Sequence, residues 1–203
     1  MVKAVVFDLG KVLVDFDYSI AARKIAARGT MALEDLARFI AQSSILLRYE
    51  TGLLTSAAFY KEVCDATGYC GAFEEFATTF GDIFVPIAPM VDLQATLRRN
   101  GLPTFIFSNT NELAVNHIRR VFPFFAGFDG YILSYEHGAM KPQPALYEVV
   151  ERQSGHRGPE LLYIDDRLEN IEAGAQRGWQ VILQETPEKT LAAMEKLGLL
   201  NHE

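Results

Sequence analysis

Short apolar runs recur along the chain, and five of them have the length and composition of buried β-strands. They are rich in β-branched and aromatic residues and do not alternate with polar ones, which is typical of strands covered on both faces of a parallel sheet. The predicted strands are residues 4–7, 104–107, 131–133, 161–164 and 180–183.

Helical patterns separate the later strands. Stretches 89–100, 111–121, 142–153 and 168–177 each carry apolar residues at helical spacing, and three of them end at or near a glycine. Strands that alternate with helices of this length favour right-handed crossovers. The second half of the chain therefore predicts an α/β fold with a doubly wound parallel sheet.

The section between the first two strands has a different pattern. Four helical stretches follow one another, at 18–28, 33–47, 56–67 and 73–84, and no strand is predicted among them. Gly-containing turns separate these helices. We therefore expect an α/β core built from residues 1–14 and 89–203, with an all-helical domain inserted at 15–88.

Composition and charge narrow the class of protein. The 203 residues carry 19 Lys and Arg against 26 Asp and Glu, a net charge of −7 that disfavours nucleic acid and anionic membranes as partners. No apolar run reaches the 18 or so residues of a membrane span. The two cysteines, Cys64 and Cys70, suit free thiols in a reducing compartment. We expect a cytoplasmic monomer or homodimer.

Polar side chains follow four of the predicted strands, at the point where each strand ends. Because the carboxyl ends of parallel strands meet at one edge of a sheet, and ligands bind there, these side chains are the candidate functional residues. They are Asp8 after the first strand, Ser108, Asn109 and Thr110 after the second, Lys141 in the loop after the third, and Asp165 and Asp166 after the fourth.

Three carboxylates at one edge repel one another unless a cation lies among them. Mg²⁺ prefers oxygen ligands and often joins one or two carboxylates to a substrate phosphate. The Ser108 hydroxyl and the Lys141 ammonium are both suited to phosphate oxygens. The sequence therefore predicts a magnesium site that handles a phosphorylated small molecule.

These motifs resemble the haloacid dehalogenase-like (HAD) hydrolases, most of which are phosphatases. Residues 5–13, VVFDLGKVL, are similar to the family's nucleophile motif, and Ser108-Asn109, Lys141-Pro142 and Asp165-Asp166 with Asn170 are similar to its other three motifs, in order. The helical insertion resembles the family's cap domain. Residues 49–52 and 134–142 look most like the branch that contains bacterial α-glucose 1-phosphate phosphatase.

The resemblance implies a role for each position. Asp8 would be the nucleophile, Lys141 would screen its charge, and Ser108 with the backbone N–H of Asn109 would hold the phosphoryl oxygens. An oxygen of Asp8, the carbonyl of Gly10 and the carboxylate of Asp166 would bind Mg²⁺, with Asp165 either a ligand or acting through water. For Asn170, support of the metal shell and an ordinary helix-surface position both stay open.

One departure from the family pattern bears on the reaction. Most family phosphatases carry an acid/base Asp two residues after the nucleophile, where this chain has Gly10. Such a group contributes roughly 10² to 10⁴ in rate. We therefore expect a substrate whose leaving group needs little protonation, such as an anomeric sugar phosphate. Asp15 and Asp17 are the nearest possible substitutes, although exposed turn positions suit them better.

Two other functions stay open. A metal-independent 2-haloacid dehalogenase also uses an Asp nucleophile and needs no proton donor, but an acidic pair beside the nucleophile would repel a carboxylate substrate. The second possible function is that of a catalytically degenerate protein that binds a ligand or a partner. Such a protein, however, would have no reason to keep Asp8, Ser108, Lys141 and Asp166 together. In the cap, Arg48 and Tyr49 are candidates to face the pocket.

Overall fold

A five-stranded parallel sheet forms the centre of the molecule in the computed structural model, which describes residues 1–200. The strand order is β5-β4-β1-β6-β7, and every neighbouring pair is parallel. The predicted doubly wound sheet is thereby confirmed. Its strands are β1 (Ala4–Phe7), β4 (Thr104–Ser108), β5 (Gly130–Leu133), β6 (Leu161–Asp165) and β7 (Gln180–Leu183).

The chain begins in the middle of this sheet. From β1 it adds β4 and β5 on one side and then returns to add β6 and β7 on the other. Phe7 pairs with Ile106 of β4 and with Ile164 of β6, so the three central strands end at the same level. The winding direction reverses beside β1, and the carboxyl end of β1 is therefore the expected ligand site.

Helices cover both faces of the sheet. Successive residues of β1 point to opposite faces: Val5 and Phe7 belong to one apolar cluster and Ala4 and Val6 to another. Leu93 joins the first cluster from one helix layer, and Val150 joins the second from the other. The helices are α6 (Ala88–Arg99), α7 (Glu112–Val121), α8 (Ser134–His137), α9 (Pro144–Ser154), α10 (Leu168–Gln176) and α11 (Pro187–Lys196).

Five helices, here called the helical insertion, lie between β1 and α6. They bury their own apolar cluster, which includes Phe59, Phe76 and Phe80, and Leu113 of α7 joins that cluster from the sheet domain. The insertion therefore packs against α7. Its helices are α1 (Tyr18–Ala26), α2 (Leu33–Gln42), α3 (Ile45–Glu50), α4 (Ser56–Thr67) and α5 (Phe73–Gly81).

Two details of the insertion differ from the sequence-based expectation. The single helix expected at 33–47 is two helices, because the chain turns extended at Ser43. A small antiparallel ribbon, β2 (Val14–Phe16) with β3 (Phe84–Pro86), joins the insertion to the sheet domain where no strand was predicted. Strands of three residues are too short to show a period of two.

The structure also bears on membrane spans and on the two cysteines. Within residues 1–200, the structure has no helix with the length and apolar character needed to cross a bilayer. Cys64 and Cys70 are both free thiols.

The turn between α3 and α4 gives a stability prediction. Gly52 has φ +73°, and a Cβ there would lie 2.2 Å from the backbone oxygen of Tyr135. Gly101 has φ +80° but open space around it. We expect Gly101→Ala to cost about 1 kcal/mol for its backbone conformation and Gly52→Ala about 2 kcal/mol more, because a backbone must also move. Urea unfolding of both variants measures the difference in their free energies of unfolding. Equal losses would show that the Tyr135 backbone moves away from the new Cβ without cost.

Candidate active site

The predicted functional residues meet at the carboxyl edge of the central strands. Asp8 directly follows β1, and its backbone N–H donates to the carbonyl of Ile164 at 2.9 Å, which fixes it beside β6. A cavity of about 270 Å³ opens above this edge. The sheet domain lines it with Asp8, Gly10, Asn109, Lys141, Asp166 and Asn170, and the helical insertion with Tyr18, Leu46 and Glu50.

Lys141 is the buried cation of the site. Its Nζ lies 2.9 Å from Asp8 Oδ1 and 2.6 Å from Asp165 Oδ2, and it donates to the carbonyl of Phe107 at 2.8 Å. Burial alone would lower the pKa of Lys141, but the two carboxylates outweigh it and raise the pKa. Lys141 therefore stays charged and bridges the ends of β1, β4 and β6.

Asp165 is fully buried, and both of its oxygens are occupied by donors. Oδ1 accepts from the backbone N–H of Arg167 at 2.8 Å and from Asn170 Nδ2 at 3.0 Å. Oδ2 accepts from Lys141 and from the hydroxyl of Tyr163. Burial raises the pKa of Asp165, but Lys141 and the hydrogen bonds outweigh that effect and lower it below its usual value. Asp165 thus holds Lys141 and the start of α10 in place.

Asn170 belongs to the same network. It is 2% exposed, and its amide contacts both oxygens of Asp165. Its backbone oxygen accepts from Tyr147 at 2.8 Å. Of the two interpretations left open by the sequence, the helix-surface position is wrong.

The carboxylates form a compact acidic cluster. Asp8, Asp165 and Asp166 each offer an oxygen within 4.8 Å of the others. Burial raises the pKa of Asp8 to about 7, and burial followed by the charge of Asp165 raises the pKa of Asp166. These shifts mean that the protein alone does not compensate the charge on Asp8 and Asp166. Hard oxygen donors with uncompensated charge fit a divalent cation such as Mg²⁺.

Ser108 and Asn109 lie at the end of β4. Asn109 Nδ2 donates to the carbonyl of Lys141 at 3.1 Å, and the Lys141 backbone N–H donates to Asn109 Oδ1 at 2.8 Å. This reciprocal pair fixes the Lys141 loop against β4. Ser108 is buried, and its hydroxyl makes one long contact of 3.4 Å with the Asn109 carbonyl. A hydroxyl with so weak a partner keeps its proton available for another acceptor.

The space beside Gly10 is filled by an aromatic ring. A Cβ at Gly10 would lie 2.8 Å from Cε1 of Phe16. Lys11, which has φ +59°, places its Nζ 4.7 Å from the centre of that ring and pairs with Asp15. Asp15 is therefore engaged at the surface, and it does not line the cavity. Asp17 caps α1 by accepting from the Ser19 backbone N–H at 2.8 Å. Neither carboxylate lines the cavity beside Gly10.

The insertion does present a carboxylate to the cavity. Glu50 is the last residue of α3, and burial raises its pKa to about 7, while Tyr18, Asn111 and Arg167 act in the opposite direction. Its backbone oxygen accepts from the Ser134 hydroxyl at 2.6 Å. Sequence reasoning did not select Glu50, although it lies within the 49–52 segment that carried the family resemblance.

Arg48 and Tyr49, the residues expected to face the pocket, do not line the cavity. Arg48 pairs with Glu62 at the surface of the insertion, with an N–O distance of 2.9 Å. Tyr49 is buried, and its hydroxyl accepts from the Leu113 backbone N–H at 3.0 Å. Tyr49 therefore attaches α3 to α7, and its neighbour Glu50 reaches the cavity instead.

Comparison with known proteins adds three observations. The sequence profile of the haloacid dehalogenase-like hydrolases matches residues 2–178. A D-ribitol-5-phosphate phosphatase of Bacteroides thetaiotaomicron is 26% identical over 194 residues, covering 91% of this chain and 93% of the relative. A sesquiterpene phosphatase of Aspergillus oryzae is 27% identical over 179 residues, covering 87% of this chain and 86% of the relative.

A solved structure matches the fold over nearly its whole length. It is a HAD family enzyme of Bacteroides thetaiotaomicron in complex with magnesium and inorganic phosphate. The TM-score is 0.81 at 23% identity, and the match covers 92% of this chain and 97% of that chain.

Proposed function

Since this chain belongs to the haloacid dehalogenase-like hydrolases, we propose that it is a Mg²⁺-dependent phosphatase that passes a phosphoryl group through an aspartyl-phosphate on Asp8. The observation that carries the proposal is the position of Asp8. It lies 2.9 Å from the Lys141 ammonium, within an acidic cluster, and at the floor of a cavity lined by both parts of the molecule. Two relatives are named as phosphatases, which supports the same reaction.

Asp8 acts as the nucleophile in the first step. One carboxylate oxygen attacks phosphorus, and the bond between phosphorus and the leaving oxygen breaks, so the leaving group departs with the bonding electron pair and an acyl phosphate remains. Lys141 screens the repulsion between Asp8 and the incoming dianion. Water then attacks the phosphorus, the bond to Asp8 breaks, and inorganic phosphate is released with the Asp8 carboxylate restored.

Ser108 and Asn109 hold the transferring group. The Ser108 hydroxyl and the backbone N–H of Asn109 come from the end of β4, beside Lys141, and are suited to the equatorial phosphoryl oxygens. The hydrogen bonds between Asn109 and Lys141, of 2.8 and 3.1 Å, keep these donors in register with the ammonium.

An oxygen of Asp8, the carbonyl of Gly10 and the carboxylate of Asp166 would hold the Mg²⁺. When bound, the ion neutralises charge that develops on the phosphoryl oxygens. Asp165 would support this set through Lys141 instead of binding the metal directly, since donors already occupy both of its oxygens. Its role is that of a positioning residue.

The helical insertion acts as the cap over this site and limits the substrate. A cavity of about 270 Å³ suits a small phosphorylated metabolite, because pockets for drug-sized ligands begin near 300 Å³. Apart from Glu50, the insertion and the ribbon line it with apolar and aromatic side chains such as Leu46 and Phe84. With Gly10 in place of the family's acid/base, the favoured substrates are phosphomonoesters with acidic leaving groups, hexose 1-phosphates among them.

A substrate panel tests this function. We expect hydrolysis of hexose 1-phosphates and of aryl phosphates, with rates that rise as the leaving group becomes more acidic, because a departing oxygen that holds its charge well needs less protonation. Removal of Mg²⁺ by EDTA should reduce turnover at least 10²-fold, and added Mg²⁺ should restore it. Phosphate release across the panel, with and without metal, is the measurement.

The same panel separates the other functions. Chloride release from 2-chloropropionate in EDTA would identify a dehalogenase and overturn the phosphatase proposal. Tight binding of phosphate esters with no turnover in the presence of Mg²⁺ would identify a degenerate binding protein. Rates that do not vary with the leaving group would leave the phosphatase standing and show that a residue other than position 10 protonates the leaving oxygen.

A further inference from the structure

Position 10 supplies neither a proton for the leaving oxygen nor a base for the water that cleaves the aspartyl-phosphate, and an acidic leaving group removes only the first of these needs. Among the described residues that line the cavity, the carboxylates are Asp8, Asp166 and Glu50, and there is no histidine or cysteine. Asp8 is the proposed nucleophile and Asp166 a proposed metal ligand. Glu50 is the remaining acid.

Glu50 also lies on the side where the leaving group must depart. In an in-line displacement, the attacking and leaving oxygens lie on opposite sides of phosphorus. Asp8 attacks from the edge of the sheet, so the leaving oxygen points toward the helical insertion. Glu50 enters the cavity from that insertion, at the end of α3.

The sheet domain holds Glu50 at this position. The Ser134 hydroxyl donates to the Glu50 carbonyl at 2.6 Å and accepts from the Thr110 backbone N–H at 2.9 Å, which ties α3 to the loop after β4. The Tyr49 hydroxyl adds a second attachment through the Leu113 N–H at 3.0 Å. Both contacts hold the end of α3, which carries the Glu50 carboxylate.

The surroundings of Glu50 bring the pKa of its carboxyl close to neutral pH. Burial raises its pKa to about 7, whereas the Tyr18 hydroxyl, the Asn111 amide and the Arg167 guanidinium, each from a different element, lower it. Asn111 is 1% exposed, and its Nδ2 has no hydrogen-bond partner among the described residues. A group that is partly protonated near pH 7 serves as both acid and base.

We propose that Glu50 is the acid/base of this phosphatase and replaces the carboxylate that Gly10 lacks. In the first step its proton goes to the leaving oxygen as the bond to phosphorus breaks, and Glu50 becomes a carboxylate. In the second step that carboxylate takes a proton from the attacking water as the bond between phosphorus and Asp8 breaks. One ester and one water thus give one alcohol and one phosphate, and Glu50 regains its proton. This assignment rests on the proposed function.

The test compares Glu50→Gln with wild type on two probes, p-nitrophenyl phosphate and glycerol 2-phosphate, at saturating Mg²⁺. We expect kcat for glycerol 2-phosphate to fall about 10²- to 10³-fold, because an alkoxide needs a proton to leave. With p-nitrophenyl phosphate, a burst of nitrophenol should persist and be followed by slow turnover, since only dephosphorylation still needs the base. Glu62→Gln, in the same insertion but outside the cavity, is the matched control and should behave as wild type.

The pH dependence supplies a readout that a structural role would not change. Dephosphorylation needs ionised Glu50, so its single-turnover rate in wild type should fall as the pH drops below about 7, and Glu50→Gln should lose this limb. Because Tyr18 lowers the pKa of Glu50, Tyr18→Phe should move the limb to higher pH. Far-UV circular dichroism and thermal unfolding check that each variant is folded.

Two patterns of failure are distinguishable. If Glu50→Gln keeps its glycerol 2-phosphate kcat within about twofold of wild type and keeps the pH limb, while Asp8→Asn is inactive, Glu50 is not the acid/base and the phosphatase proposal stands. If Asp8→Asn retains activity, the proposed function itself is wrong.

Discussion

Asp8→Asn is expected to abolish phosphatase activity, with kcat at least 10⁴-fold below wild type, because an amide oxygen is a poor nucleophile and its acyl phosphate equivalent does not form. Folding should survive the change. Asp8 is only 7% exposed, burial opposes its charge, and Lys141 keeps its second partner, Asp165, at 2.6 Å. The melting temperature of Asp8→Asn should therefore match or exceed that of wild type.

The covalent intermediate supplies the direct measurement. Wild-type protein with Mg²⁺ and beryllium fluoride should form a stable complex that mimics aspartyl-phosphate, and Asp8→Asn should form none. Asp15→Asn, at an exposed carboxylate outside the cavity, serves as the control and should still form the complex. Retention of both activity and complex in Asp8→Asn would contradict the nucleophile assignment.

Lys141→Met is expected to lose both activity and stability. The Lys141 side chain is 1% exposed and is the buried cation between two carboxylates, so its removal leaves Asp8 and Asp165 facing one another without a cation. Breaking a buried ion pair by removing one partner costs about 3–5 kcal/mol, and we expect a loss of that size in the free energy of unfolding. Turnover should fall about 10³-fold, because Asp8 and a phosphate dianion would repel one another unscreened.

Denaturant unfolding in EDTA measures the stability effect without a contribution from metal binding. Lys61→Met is the matched control, since Lys61 forms an exposed pair with Asp65 that is worth at most about 1 kcal/mol. Adding Asp8→Asn to Lys141→Met should recover part of the lost stability, because one uncompensated carboxylate disappears. An unfolding midpoint for Lys141→Met equal to wild type would show that the buried carboxylates do not depend on this ammonium.

The sheet and the location of the site were predictable from the sequence. Strands covered on both faces leave continuous apolar runs, and a parallel sheet collects the residues after its strands at one edge, so Asp8, Lys141 and Asp166 could be placed together without coordinates. The ribbon of Val14–Phe16 and Phe84–Pro86 could not be predicted, because three residues carry no periodic signal.

The separate roles of the acidic residues in the site were harder to predict from the sequence. Asp165 and Asp166 are adjacent and chemically identical, and only the structure shows that donors occupy both oxygens of Asp165 while Asp166 lines the cavity. Glu50 was missed for a related reason. A glutamate at the end of a helix usually faces solvent, and its burial depends on how α3 packs against the sheet domain. Contacts between distant segments leave no local pattern in the sequence.

The ring of Phe16 beside Gly10 also constrains how this chain can change. Aspartate introduced at position 10 alone would bring its Cβ to about 2.8 Å from Cε1 of that ring. A smaller residue at position 16 alone would remove the ring, whose centroid lies 5.3 Å from that of Tyr18 and 6.0 Å from that of Phe84. A smaller residue at position 16 also frees the space that a Cβ at position 10 needs, so we expect the effects of the two replacements to be non-additive. A directed-evolution library that seeks an aspartate at position 10 should therefore vary both positions at once.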